Sequence, residues 1–115
     1  MKNKDTGNFG ENLACEYLIE KGFVIVEKNW RYKHLEIDLI ACKDQKLHIV
    51  EVKTRTGIAF GYPEQFIRRQ KFQFLKNAAA IYQYQNPKWK NIQFDVISIL
   101  LKEPIEILFL EDVFF

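Results

Sequence analysis

Four charged side chains stand in two apolar runs where a buried strand would carry none. Glu36 and Asp38 interrupt the run from Leu35 to Cys42, and Glu51 and Lys53 interrupt the run from Leu47 to Lys53. The turn-prone Lys43-Asp44-Gln45-Lys46 separates the runs, so the stretch reads as a β-hairpin. Strand side chains alternate between faces, which groups Glu36 with Asp38 and Glu51 with Lys53. A turn centred between Asp44 and Gln45 sets Asp38 opposite Glu51 and Glu36 opposite Lys53. Opposite Cβ atoms lie about 4.5 to 5.5 Å apart, where two like charges repel unless something offsets them. A divalent cation would do so. A loop centred on one residue would mix charges with aliphatics on one face, so the even register is the one that separates them.

Other elements must hold this hairpin in place. Helical spacing of Leu13, Ala14, Tyr17 and Leu18 predicts a first helix from about Phe9 to Lys21, with Gly22 as a left-handed stop. Gly7 and Gly10 sit around its first turn, where small residues permit close approach of a backbone or a phosphate. Glu11 lies in that turn, a place the helix dipole already favours for a carboxylate. Phe23 to Lys28 predicts a strand, and Asn29 to Lys33 leads from it into the hairpin. Trp30 and Tyr32 alternate with Arg31 and Lys33, a pattern that can stack on bases but on a strand is ordinarily one buried and one solvated face. His34 and His48 lack metal-ligand spacing and read as structural or solvated.

After the hairpin, Thr56 to Tyr62 reads as a flexible loop containing Gly57 and Gly61. Pro63 suits the first position of a helix running to about Tyr84, with Phe66, Ile67, Gln70, Phe74, Ala78 and Ile81 or their neighbours at helical spacing. Arg68, Arg69 and Lys71 decorate it. Asn86-Pro87-Lys88 ends it, Ile92 to Leu101 forms a strand, Glu103-Pro104 turns the chain, and Ile105 to Leu110 forms a last strand. Asp95, inside the fourth strand, is expected to be a structural acid bonded to backbone or Arg.

Composition narrows the class. A chain of 115 residues with 48% hydrophobic and 28% charged residues is one globular domain, spanning residues 1–115. The net charge of +2 does not by itself mark a nucleic-acid binder, but Lys53, Arg55, Arg68, Arg69, Lys71 and Lys76 follow the acidic hairpin closely. The polar N-terminus lacks the apolar core of a signal peptide and no run approaches membrane-spanning length, so a cytoplasmic protein without membrane contact is expected. Cys15 and Cys42 have no CxxC spacing and read as packing residues.

Asp38 followed by Glu51-Val52-Lys53 on the next strand resembles the PD-(D/E)xK signature of restriction-endonuclease-like nucleases. More closely, the chain resembles the small bacterial YraN family of predicted nucleases, related in core to Holliday-junction resolvases. The resemblance runs through Gly7, Gly10-Glu11, Ala14, Tyr17-Leu18, Gly22, Asn29, Glu36 to Ile40, Glu51 to Arg55, Phe60-Gly61, Pro63, Lys71, Ala79, Tyr82 and Phe94-Asp95-Val96. Two positions depart from it: Leu35 stands where members commonly carry Gly, and Gln93 where they carry Arg.

The resemblance implies an α/β fold with a restriction-endonuclease-like core, a mixed sheet of about five strands flanked by helices, and hydrolysis of DNA phosphodiester bonds in branched or damaged DNA. Asp38 and Glu51 would hold Mg²⁺ or Mn²⁺, with Glu11 completing the site through metal or water. Lys53 would stabilise charge on the phosphate or orient the attacking water. Glu36 would be a supporting acid or the partner of Lys53. Arg55, Arg68 and Lys71 would meet the phosphates. Cutting two strands of a symmetric junction would suit a homodimer, for which the apolar Val113-Phe114-Phe115 end offers a surface. The rival readings are a non-catalytic nucleic-acid-binding module on the same fold and a domain that works through a protein partner.

Overall fold

A computed structural model describes residues 3–56 and 69–113, with side chains from Gly7 onwards. The elements follow the order α1 (Asn3–Glu20), β1 (Val24–Tyr32), β2 (Leu35–Lys43), β3 (Lys46–Arg55), α2 (Arg69–Gln85), β4 (Ile92–Leu100) and β5 (Glu106–Leu110). The strands form one sheet in chain order. All neighbours are antiparallel except β3 and β4, which run parallel and are linked through α2. This is the α/β architecture expected, with a mixed five-stranded sheet between two helices.

Each helix covers one face. Ala14, Cys15 and Leu18 of α1 pack on Leu39, Ala41, Val50, Ile97 and Ile99, while Leu75, Ala78, Ala79 and Tyr82 of α2 pack on Ile37, Ile40, Leu47 and Ile49. Burial is continuous from Leu47 to Glu51 in β3 and from Asp95 to Ile99 in β4, so one sheet feeds both cores, as expected of strands covered on two sides.

α1 ends where Gly22 adopts φ 94°, with the Phe23 amide donating to Leu18 O at 2.9 Å and the Gly22 amide to Ile19 O at 3.0 Å. That double closure is the Schellman stop, and Lys43 Nζ adds a bond to Lys21 O at 2.8 Å. The helix begins earlier than its apolar spacing predicts. β1 runs further than expected, because Trp30, Arg31 and Tyr32 pair with Ile37, Glu36 and Leu35 and reduce the link to β2 to Lys33-His34.

α2 ends as expected before Asn86, whose amide donates to Tyr82 O at 2.9 Å. Its expected start at Pro63, the loop with Gly57 and Gly61, and Phe66 and Ile67 lie outside the described residues. Its buried face is Phe72, Leu75, Ala78, Ala79 and Tyr82, displaced round the helix from the one expected, so Phe74 points outward at 40% exposure. Val113 packs back on Phe72 and Val96, and its amide donates to Phe94 O at 2.8 Å; Phe114 and Phe115 are outside the described residues. Both cysteines are free thiols. Among the described residues no helix is long and apolar enough to cross a membrane.

Candidate active site

The hairpin has the even register: Lys43 pairs with Lys46, Cys42 with Leu47, Ala41 with His48, Ile40 with Ile49 and Leu39 with Val50. There the ladder stops. β2 continues towards Leu35 paired only with β1, and β3 continues to Arg55 paired only with β4. The sheet therefore forks between β2 and β3, and Asp38 and Glu51 are the first residues past the last rung.

Backbone groups at the fork lose their ladder partners and need others. Asp38 supplies one: its Oδ2 accepts the Val52 amide at 2.9 Å. The side-chain alternation of β2 also breaks here, since Leu39 and Ala41 face α1 whereas Ile37 and Ile40 both face α2. Opposite this break stands Asn29, whose φ of 53° is a left-handed conformation that Asn tolerates better than most residues. The strict two-residue period that groups Glu36 with Asp38 thus holds for the turn half of the strand and gives way at Asp38.

The Asp38 and Glu51 carboxyls meet in hydrogen-bond contact. Burial and then the neighbouring Glu51 push Asp38 up to about 8, against the opposing pull of the Val52 amide and Lys71. Glu51 is 3% exposed. Its Oε2 lies 3.3 Å from Lys71 Nζ and 3.8 Å from Lys53 Nζ, so two ammonium groups flank the acid pair. Lys71, expected to touch phosphate from the helix surface, projects from the start of the described part of α2 into the fork itself.

Glu36 does not pair with Lys53. The register on the β1 side sets it opposite Arg31, and the two side chains meet at 3.4 Å. Its remaining influence is electrostatic, on Glu11. Glu11 stands on α1 beside the fork, where desolvation first and then the charge of Asp38 raise its pKa, with a hydrogen bond from Asn29 opposing. Asn29 is a participant that residue type alone did not point to; an Asn able to take a left-handed turn within a strand was the available signal.

Gly10 explains how Glu11 comes close. A Cβ at Gly10 would lie 2.8 and 2.9 Å from Cβ and Cγ2 of Thr54 and would overlap its Oγ1, whereas one at Gly7 would meet nothing within 4 Å. The glycine that matters is therefore Gly10, where α1 rests directly on β3. Arg55, at the end of β3, is half-buried with both terminal guanidinium nitrogens covered, and Arg68 lies outside the described residues.

Among the described residues no three acidic, histidine or cysteine side chains converge into a ready-made cage for a metal. The donor set at the fork is instead one touching pair of carboxylates with Glu11 nearby. That set fits Mg²⁺, which commonly takes one or two carboxylates and completes its shell with water and substrate phosphate.

Asp95 belongs to a separate polar knot. Fully buried, it receives His48 Nδ1 on Oδ2 at 2.6 Å, and on Oδ1 both the Asp112 amide and Gln93 Nε2 at 2.9 Å. It is bonded to backbone, as expected, and among the side chains to His48 rather than to Arg. Gln93, at one of the two departing positions, supplies a donor to it. Leu35, at the other, is buried against α2.

A profile described as "Uncharacterised protein family UPF0102" matches residues 10–99. The chain belongs to UPF0102. A member from Flavobacterium psychrophilum is 41% identical over 115 residues, covering 99% of this chain and 97% of its own. One from Clostridioides difficile is 42% identical over 104 residues, 90% of this chain and 91% of its own. One from Syntrophomonas wolfei is 41% identical over 102 residues, 88% and 89% respectively. The UPF0102 match begins at Gly10 and Glu11 and ends in β4, so it takes in Glu11, Asp38, Glu51, Lys53 and Lys71.

Proposed function

We propose that this UPF0102 protein is a divalent-metal-dependent nuclease of the PD-(D/E)xK type, acting in the cytoplasm and hydrolysing phosphodiester bonds of DNA, with branched or damaged DNA as its substrates in recombination or repair. The observation that carries this reading is the Asp38–Glu51 pair. Two touching carboxyls, one of them pushed up to about 8, are poorly matched to one another alone but well matched to a cation between them.

A bound Mg²⁺ or Mn²⁺ would neutralise the two acids, lower the pKa of attacking water and offset charge on the phosphate. The chain's own groups do the rest. Asp38 is held in place by the Val52 amide, so its carboxylate is oriented before any ligand arrives. Lys53 and Lys71 sit on either side of Glu51 and can shift to the non-bridging oxygens of a phosphate once Glu51 is otherwise engaged. Glu11, with its raised pKa, is suited to hold a water or its proton at the edge of the site. In sequence, Arg55 follows Lys53 by two residues and Arg68 precedes Lys71 by three, which adds to the cationic run. Two copies would serve the two strands of a symmetric junction.

The test is cleavage of a panel of linear, flapped and four-way DNAs in Mg²⁺, Mn²⁺ and chelator. Cutting is expected only with metal, and Glu51→Gln or Lys53→Ala should lower its rate by about a hundredfold to a thousandfold, the usual worth of one such electrostatic partner. Salt-dependent DNA binding with no cutting under any metal would replace this reading by the non-catalytic binding module.

A further inference from the structure

Beside the fork lies aromatic surface that the carboxylate site does not use. Trp30 is half-buried and packs edge-on against Tyr82, centroids 5.4 Å apart. Tyr32 continues from it in a near-parallel stack, 6.5 Å between centroids and 11° between planes, and is 37% exposed. The two-residue turn then brings His34 to Phe74, itself 40% exposed, with the rings 5.9 Å apart.

Two relations tie this surface to the fork. Phe74 lies one helical turn beyond Lys71, so the two share a face of α2, and Lys71 is the residue that reaches Glu51. Leu35, the partner of Tyr32, lies three residues along β2 from Asp38, which at strand rise is roughly 10 Å. Successive nucleotides of one stacked strand are about 3.4 Å apart, so a base resting on Tyr32 belongs to a nucleotide about three steps from a phosphate at Asp38. Charge agrees with such an occupant. Arg31 keeps its side chain 70% exposed, and Lys33 holds its ammonium 5.5 Å from the Tyr32 ring centre.

We propose that Tyr32 and Phe74 form a stacking shelf for unpaired bases of the DNA strand held at the Asp38–Glu51 fork, so that the substrate carries single-stranded nucleotides next to the bond that is cut. This rests on the nuclease reading and specifies its substrate class. An incoming base extends the Trp30–Tyr32 stack and displaces the Lys33 ammonium, because an exposed cation–π contact is weaker than base–aromatic stacking. The released ammonium then meets the phosphate of the same nucleotide. A base inside a continuous duplex has both faces occupied and offers nothing to the shelf.

The experiment uses the full chain in chelator, so that nothing is cut, with 2-aminopurine placed either in the single-stranded arm of a flapped DNA or within a fully paired duplex of equal length. The wild type is expected to quench the arm probe and to bind the flapped DNA about tenfold more tightly than the duplex. Tyr32→Leu with Phe74→Leu should bring that ratio close to one and abolish quenching, Tyr32→Leu alone should lose most of the quenching, and Phe74→Trp should keep both. Thermal melts check that each variant is folded. Unaltered quenching and preference in a folded double Leu variant, or wild-type binding with no preference, overturn the shelf and leave the nuclease reading standing. Absence of wild-type binding to every DNA, together with absence of metal-dependent cutting, overturns both.

Discussion

At the scale of single residues the fork stores an electrostatic conflict that makes a pH signature. Asp38 is pushed from an ordinary carboxylate value near 3.8 up to about 8 in the folded chain. A raised folded pKa means the native state holds the proton more tightly than the unfolded chain. The associated stability is therefore fully present below about 4 and is lost as pH climbs through about 8. Melting in chelator should accordingly fall between pH 5 and pH 8.5, and Asp38→Asn should flatten that fall. Asn keeps an oxygen for the Val52 amide while its NH₂ can donate to Glu51. On the nuclease reading, millimolar Mg²⁺ or Mn²⁺ should recover the lost stability of the wild type at pH 8 and do little for the Asn variant. Scanning calorimetry across pH, with and without metal, decides it; a wild-type melting temperature flat over this range would remove the conflict.

At the scale of elements the decisive contact is α1 against β3. Gly10 rests on Thr54, a β-branched residue whose backbone is paired to β4, so a methyl group at Gly10 cannot be absorbed by a side chain swinging away. Gly10→Ala gains helix propensity of about 1 kcal/mol in an isolated helix. Overpacking typically costs about 1 to 3 kcal/mol and here moves a whole helix, so the cost wins. We expect the variant to melt several degrees lower, while Gly7→Ala, which meets only open space, melts no lower than the wild type. Because Glu11 is adjacent, Gly10→Ala should also weaken any metal-dependent activity more than its stability loss explains. Circular dichroism melts with single-turnover cleavage below the melting temperature separate the two effects.

At the scale of the whole molecule, the His48–Asp95 knot fastens β3, β4 and the segment after β5 together. It lies among the α1-side residues, with the His48 ring edge-on to Phe23 at 4.9 Å. Removing one member of a buried, hydrogen-bonded pair strands the other, at a typical cost of about 3 to 5 kcal/mol. Asp95→Ala is thus expected to lower urea-unfolding stability by that order and to loosen Val113, whose amide donates to Phe94 next door. A loss below 1 kcal/mol would show that the knot is not structural. Dimer formation belongs to this scale too, and light scattering at high concentration measures it directly.

The sequence alone determined the order of elements, the two-sided sheet and the even register of the hairpin, because these follow from local rules: apolar periodicity, a left-handed glycine stop at Gly22, and the need to keep Asp38 and Glu51 off the faces that bury Leu39 and Val50. It also marked Asp38, Glu51, Lys53 and Glu11 as the groups able to do chemistry. It did not determine that the ladder ends at Leu39 and Val50, that Asp38 takes the Val52 amide, or that Glu36 turns to Arg31 while Lys71 comes from a distant helix to Glu51. Those depend on how β1 and β4 pull the two strands apart and on where α2 lands, which is a matter of packing between segments far apart in the chain. The outward turn of Phe74 has the same origin. Several rotations of α2 satisfy its helical spacing, and only the shape of the sheet beneath, filled by Leu75, Ala78 and Tyr82, selects one.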